Sequence, residues 1–215
     1  MAAAAGWRGA AGPGLKVDSR TVKPRPLRRL GVFCGGRAGR RPTYRRAAED
    51  LGRQLACDGI GLVYGGGGAG LMGAVADAVL TAGGEATGVI PGELLARELG
   101  HSRLTHQHVV PSMHARKALM LELSDAFVAL PGGYGTLDEL FEAVTWAQLG
   151  IHAKPVGLLD VDGYFQPLLG FLRQAVAEGF IPDGSRSLLV VEETPEALLH
   201  ALRTCALPEL SPWRP

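Results

Sequence analysis

Three short segments of this chain combine glycine with side chains able to do chemistry. They are Gly35-Gly36-Arg37-Ala38-Gly39, Gly65-Gly66-Gly67-Gly68-Ala69-Gly70-Leu71-Met72-Gly73 and Pro131-Gly132-Gly133-Tyr134-Gly135-Thr136. Glycine lets a backbone turn sharply and lets a ligand approach its N–H groups closely. A helix that starts directly after such a turn adds unpaired amides and the positive end of its dipole, so each segment is a candidate anion site. For any single segment, tight strand-to-helix packing is the competing explanation. Three of them opening on one sheet edge favour a phosphorylated ligand.

Ionisable groups fall near the same places. Ser112-Met113-His114-Ala115-Arg116-Lys117 reads as a helix start with Ser112 as N-cap. Arg116 and Lys117 then lie about a turn into the helix, where cations are mildly unfavourable and need a compensating anion, unless they form a solvated surface pair. Glu139 follows Thr136 by three residues, and Thr136-Leu-Asp-Glu139 has the text of a capping box. A Glu at that place beside a phosphate loop also reaches the sugar of a bound nucleotide. The two roles exclude each other for one oxygen.

The elements that must hold these residues alternate in type. Short apolar runs bounded by Gly or Pro predict strands at Leu30–Cys34, Gly61–Tyr64, Ala86–Ile90, His108–Val110, Ala126–Leu130, Val156–Leu159 and Leu188–Val191. Between them, helical patterns cover Thr43–Cys57, Gly70–Thr81, Met113–Leu123, Thr136–Leu149, Tyr164–Glu178 and Pro195–Thr204. This alternation predicts a single α/β domain: a doubly wound, Rossmann-like parallel sheet with helices on both faces. Its ligands bind beyond the carboxyl ends of the strands, where the glycine segments fall. The domain spans 29–207. Residues 1–28, rich in Ala, Gly, Pro and Arg, read as a disordered, low-complexity extension, with an organellar transit peptide as the alternative, and 208–215 as a short tail.

Composition excludes several classes. The chain has 215 residues, 47% of them hydrophobic, and Lys+Arg 22 against Asp+Glu 21 leaves a formal charge of +1. No strong field draws in nucleic acid or a membrane surface, and no apolar run approaches the ~18 residues of a span. Three widely spaced cysteines, Cys34, Cys57 and Cys205, fit a reducing, cytoplasmic setting and no disulfide scaffold. Gly68-Ala-Gly70-Leu-Met-Gly73 matches the dinucleotide fingerprint in letters, but it follows the second strand, and the next strand ends in Ile90-Pro91 and not in an acid. NAD is therefore not expected, and a Walker loop is absent. His106 and His108 have no acid or cysteine cluster to complete a metal site, so no metal is expected. Pyridoxal phosphate needs a Schiff-base lysine, and outside the tail only Lys117 and Lys154 exist. No cofactor is expected.

Pro131-Gly-Gly-Tyr-Gly-Thr-Leu-Asp-Glu139 together with Met113-His-Ala-Arg-Lys117 resembles the paired signature of the LOG (Lonely Guy) family, the cytokinin riboside 5′-monophosphate phosphoribohydrolases often mislabelled lysine decarboxylases. Val32-Phe-Cys-Gly35, Leu62-Val-Tyr-Gly-Gly-Gly67, Gly88-Val-Ile-Pro91, Ser124-Asp-Ala-Phe127 and Thr145-Trp-Ala-Gln-Leu-Gly-Ile-His152 extend the likeness, which runs from about Leu30 to Ile181. The resemblance implies hydrolysis of the N-glycosidic bond of an N6-substituted adenosine 5′-monophosphate, with Arg116 and Glu139 in the catalytic positions. Substrate contacts are implied for Glu98, Lys117, Gly132, Gly133, Tyr134, Gly135, Thr136, Leu137, Asp138 and Thr145. A homodimer is implied as well, and the apolar coverage of the helix carrying Leu140, Phe141, Val144, Trp146 and Leu149 suits a subunit contact. Two residues depart from the family pattern: Gly36 replaces a common Ser, and Asp138 replaces a common Glu. A non-catalytic nucleotide-binding protein and a broader purine or pyrimidine nucleotide nucleosidase are the alternatives.

Overall fold

Apolar strands alternate with helices as the sequence predicts, and the computed structural model, which describes residues 26–96 and 100–207, assembles them around one seven-stranded sheet. The strands are β1 (Arg29–Phe33), β2 (Gly61–Tyr64), β3 (Ala86–Pro91), β4 (His106–Val110), β5 (Ala126–Ala129), β6 (Val156–Leu159) and β7 (Leu189–Glu192). The helices are α1 (Pro42–Cys57), α2 (Gly70–Thr81), α3 (Gly92–Ala96), α4 (Met113–Leu123), α5 (Tyr134–Gln148), α6 (Gln166–Ala177) and α7 (Pro195–Thr204). The order across the sheet is β4-β3-β2-β1-β5-β6-β7, and every pairing is parallel.

Strand side chains alternate between two cores, as a period of two requires. Leu30, Val32, Leu62, Tyr64 and Val128 pack with Leu51 and Leu55 of α1, Val75 of α2 and Leu198 of α7. Phe33, Val63, Phe127, Ala129 and Leu158 face the other way, against Met120 of α4, Leu140 of α5 and Leu169 of α6. The sheet is thus covered on both faces, the condition under which parallel strands read as unbroken apolar runs. Among the described residues no helix is long and apolar enough to cross a membrane.

Several boundaries differ from expectation. β4 begins at His106, two residues early, because it is an edge strand whose first residues, His106 and Gln107, are exposed and carry no apolar signal. α3 is a five-residue helix that periodicity is too short to reveal. α6 starts at Gln166 and not Tyr164, since Val161–Gly163 forms a separate 3₁₀ turn with Asp162 at φ 52°. The largest consequence comes from α5, which starts at Tyr134 with Gly133 as N-cap, so Thr136 is its third residue and not its cap.

β1 is flanked by β2 on one side and β5 on the other, so the chain winds outward in both directions from there. That reversal splays the turns after β1 and β5 apart and opens a crevice at the carboxyl edge.

Candidate active site

A cleft of about 900 Å³ occupies this crevice. The turn after β1 (Cys34–Gly39) forms one wall, and the turn after β5 with the start of α5 (Pro131–Gly133, Gly135, Thr136) forms the other. Tyr44, Leu71, Met72, Met113 and Tyr164 add apolar and aromatic surface. Gly133 brings no capping side chain to α5, and the first turn of that helix holds no acid. The N–H groups of a first helical turn lack intrahelical partners, so this helix start presents hydrogen-bond donors at the cleft, a candidate anion cradle. Tyr164 braces it: its hydroxyl donates to the Gly132 carbonyl at 2.6 Å.

The second glycine segment behaves otherwise. Of its residues only Leu71 and Met72 reach the cleft. Leu71 N–H donates to Gly35 O at 2.9 Å, and Gly35 N–H donates to Pro131 O at 3.1 Å, so the segment lies under the other two turns and ties to them in series. Of the three candidate anion turns, the first and the last bring their glycines to the cleft, and the glycines of the middle one do not line it.

Glu139 and Arg116 meet on the cleft floor. Ser112 Oγ accepts from Ala115 N–H at 3.1 Å, so α4 starts as predicted and Arg116 comes one turn later. Its Nη2 lies 3.1 Å from Glu139 Oε1, and each residue is only 9% exposed. Glu139 is the sixth residue of α5, beyond reach of the helix start, so the capping-box reading fails. Arg116 Nη1 faces Met113 Sδ at 3.7 Å, and the buried Nε has no partner. Burial pushes the Glu139 carboxyl up from 4.5 to about 7; Arg116 opposes this, Asp138 adds to it, Lys117 opposes and Glu142 adds. Desolvation therefore outweighs the guanidinium. Arg116 orients this carboxyl but does not hold it in the ordinary carboxylate range. Cys34 lines the same floor, its thiol pushed up by burial and by Glu139, as expected of an inert buried cysteine.

The remaining expected residues scatter. Lys117 does not line the cleft: its Nζ pairs with Glu142 and, at 3.2 Å, with Asp138, cross-linking α4 to α5. The hydrogen bond to Glu142 is the main cause of a raised Lys117 ammonium. Asp138 lies on the cleft rim. Leu137 packs into the α4–α6 side core, Tyr134 is 94% exposed, and neither lines the cleft. Thr145 is exposed, six residues along α5 from Glu139, or about 9 Å. Glu98 lies outside the described residues. Tyr44 and Tyr164 carry no motif in the text, and only the folding of distant segments brings them to the cleft. Lys154 Nζ donates to Leu121 O at 2.5 Å, away from the cleft. Among the described residues no lysine lines the cleft, so pyridoxal phosphate held as an imine does not fit it.

Fold and site together define a doubly wound α/β protein whose crevice brings a helix start and a buried acid to one cleft. A family model described as "Possible lysine decarboxylase" matches residues 72–202. A protein of Oryza sativa subsp. japonica named "Probable cytokinin riboside 5'-monophosphate phosphoribohydrolase" is 54% identical over 176 residues, 82% of this chain and 78% of that one. A cytokinin riboside 5′-monophosphate phosphoribohydrolase of Arabidopsis thaliana is 49% identical over 188 residues, 87% of each chain. Another of Oryza sativa subsp. japonica is 50% identical over 176 residues, 82% of this chain and 73% of that one. The chain belongs to the LOG family that these proteins represent. The fold alone is shared with the molybdenum cofactor binding protein from Rippkaea orientalis (24% identity, TM-score 0.62, 80% of this chain and 92% of that one). The same holds for the molybdenum cofactor carrier protein from Chlamydomonas reinhardtii (23% identity, TM-score 0.62, 84% and 98%).

Proposed function

We propose that this chain hydrolyses the N-glycosidic bond of N6-substituted adenosine 5′-monophosphates, releasing the free base and ribose 5-phosphate. The observation that carries this reading is the Glu139 carboxyl, free of any capping role, buried at the cleft floor and 3.1 Å from Arg116. The names and identities of the relatives support the same reaction.

Cleaving C1′–N builds positive charge on the ribose, as in other glycosidases. The Glu139 carboxylate stabilises that charge and accepts a proton from the attacking water, whose oxygen bonds to C1′. The base leaves with the bonding pair and is protonated from solvent, and Glu139 returns its proton to solvent. General-base assistance of this kind contributes ~10²–10⁴ in rate, and it is most effective when the group titrates near the working pH. A carboxyl titrating at about 7 meets that condition. The backbone amides at Gly132–Thr136 hold the 5′-phosphate away from the reacting bond, and that remote contact positions C1′ over Glu139. Arg116 orients Glu139, and its unpartnered Nε is a donor for the sugar. Lys117 sets the rim by holding Asp138.

Glu139→Gln is expected to keep nucleotide affinity within a few-fold and to lose at least 100-fold in kcat. Base release by that variant at the parental rate refutes the assignment. The monophosphate is expected to outrun the riboside by at least tenfold in kcat/KM, and equal rates would remove the phosphate cradle from the reading. A homodimer in a cytoplasmic setting completes the proposal. Leu140 is buried within its own chain, so the subunit contact falls to exposed Leu149 and Ile151 beyond it, and sedimentation of the L149E/I151E variant as a monomer tests that.

A further inference from the structure

We infer that Gly65, at the carboxyl end of β2, is the seat of the Arg116 guanidinium and so a positioning residue for the Glu139–Arg116 couple. The inference rests on the reading of that couple as catalytic, and one of its tests does not need turnover.

A side chain at position 65 would meet Arg116. A Cβ there would overlap Arg116 Nη2 and stand 2.9 Å from its Cζ and 3.3 Å from its Nε. All three nearest atoms belong to that one guanidinium, which therefore lies against the bare Cα. Gly65 is buried, and its φ is not positive, so the backbone itself makes no demand for glycine. What demands it is the arginine head. The atom overlapped most, Nη2, is the one that faces Glu139 Oε1 at 3.1 Å.

The contrast with other close glycines sharpens this. At Gly73 an added Cβ would overlap the Gly68 carbonyl, and at Gly70 it would overlap backbone of Gly36. Backbone cannot step aside, so alanine there disrupts the fold. At position 65 the obstacle is the tip of a long side chain, which can swing toward the open cleft. Alanine at 65 therefore leaves the fold nearly intact and displaces the one contact that orients Glu139. It also withdraws the positive charge that opposes burial at that carboxyl.

Three measurements test the seat. Gly65→Ala should lower kcat at least tenfold while KM moves less than threefold, because the α5 cradle is untouched. The acid limb of kcat/KM should move upward by at least half a pH unit. The same upward movement should appear in the Glu139 carboxyl titration, followed by ¹³C NMR on Glu-labelled protein and identified by its loss in Glu139→Gln. In an Arg116→Ala background, Gly65→Ala should change both kcat and the titration by less than a factor of two in equilibrium or rate, since nothing remains to displace. If Gly65→Ala fails to fold, the double variant should fold, and a double variant that also fails overturns the seat. Parental kcat with an unmoved titration overturns it too, as does an equal loss in both backgrounds. A parental protein that releases no base defeats the proposed reaction, while the titration still decides the seat.

Discussion

A side-chain carbon at Gly133 or Gly135 would meet no protein atom within 4 Å, whereas at Gly65, Gly70 and Gly73 it would overlap atoms of the protein. The third glycine turn and the second have similar composition, yet of the two only the third brings glycines to the cleft. In the second turn, glycine is demanded by the chain's own packing. In the third, Gly132 is packed against Thr136 and Gly35, but Gly133 and Gly135 have room for a side chain, and at Gly135, inside the first turn of α5, alanine is preferred by up to about 1 kcal/mol. Under the proposed function, an anion approaching the amides of α5 accounts for glycine there.

The largest effect that separates the two turns is expected from Gly70→Ala. Gly70 has φ +63°, and an added Cβ would stand 2.5 Å from Arg37 N. Left-handed strain and overlap together should cost at least ~3 kcal/mol, read as a lowered urea midpoint. Retention of the parental midpoint would mean that the second turn is loosely packed. Next comes the floor between the turns. Glu139 titrates at about 7 when folded against 4.5 ordinarily. The folded state then binds the proton more tightly, so stability falls as pH rises through that window, by at most about 3 kcal/mol. Glu139→Gln should lack this fall, and parallel stability–pH curves for the two proteins would place the carboxyl in solvent. Gly135→Ala should weaken binding of a nucleoside monophosphate about tenfold, equivalent to ~1.4 kcal/mol, with no loss of melting temperature. A melting loss without an affinity loss would move this turn into the packing class. The smallest effect belongs to Tyr164→Phe, which removes the hydroxyl on Gly132 O. It should cost about 1 kcal/mol of stability and raise KM a few-fold, and an unchanged KM would detach Tyr164 from the cradle.

Much of the fold was legible because strands buried on both faces are written as apolar runs, and each helix of ten residues or more showed a stripe or a breaker. The exceptions follow the same logic: β4, exposed at the sheet edge, has little to bury, and α3 is shorter than two turns. The site was legible in part. Arg116 and Glu139 were visible as residues in need of partners, but 23 positions separate them, and only the packing of α4 near α5 joins them. Thr136-Leu-Asp-Glu139 reads as a capping box because text shows spacing and not where a helix begins; Gly133 starts it early. The roles of the glycine runs were illegible for a simple reason: a missing side chain looks the same in sequence whether ligand or protein fills the space.

The two hydrogen bonds that run from Leu71 to Gly35 and from Gly35 to Pro131 string the three loops like beads on one thread. A backbone shift in the loop whose glycines are packed is thereby felt at the two whose glycines line the cleft. Attempts to reshape that cleft should therefore exchange side chains on its walls, such as Tyr44 or Met113, and leave the thread itself alone.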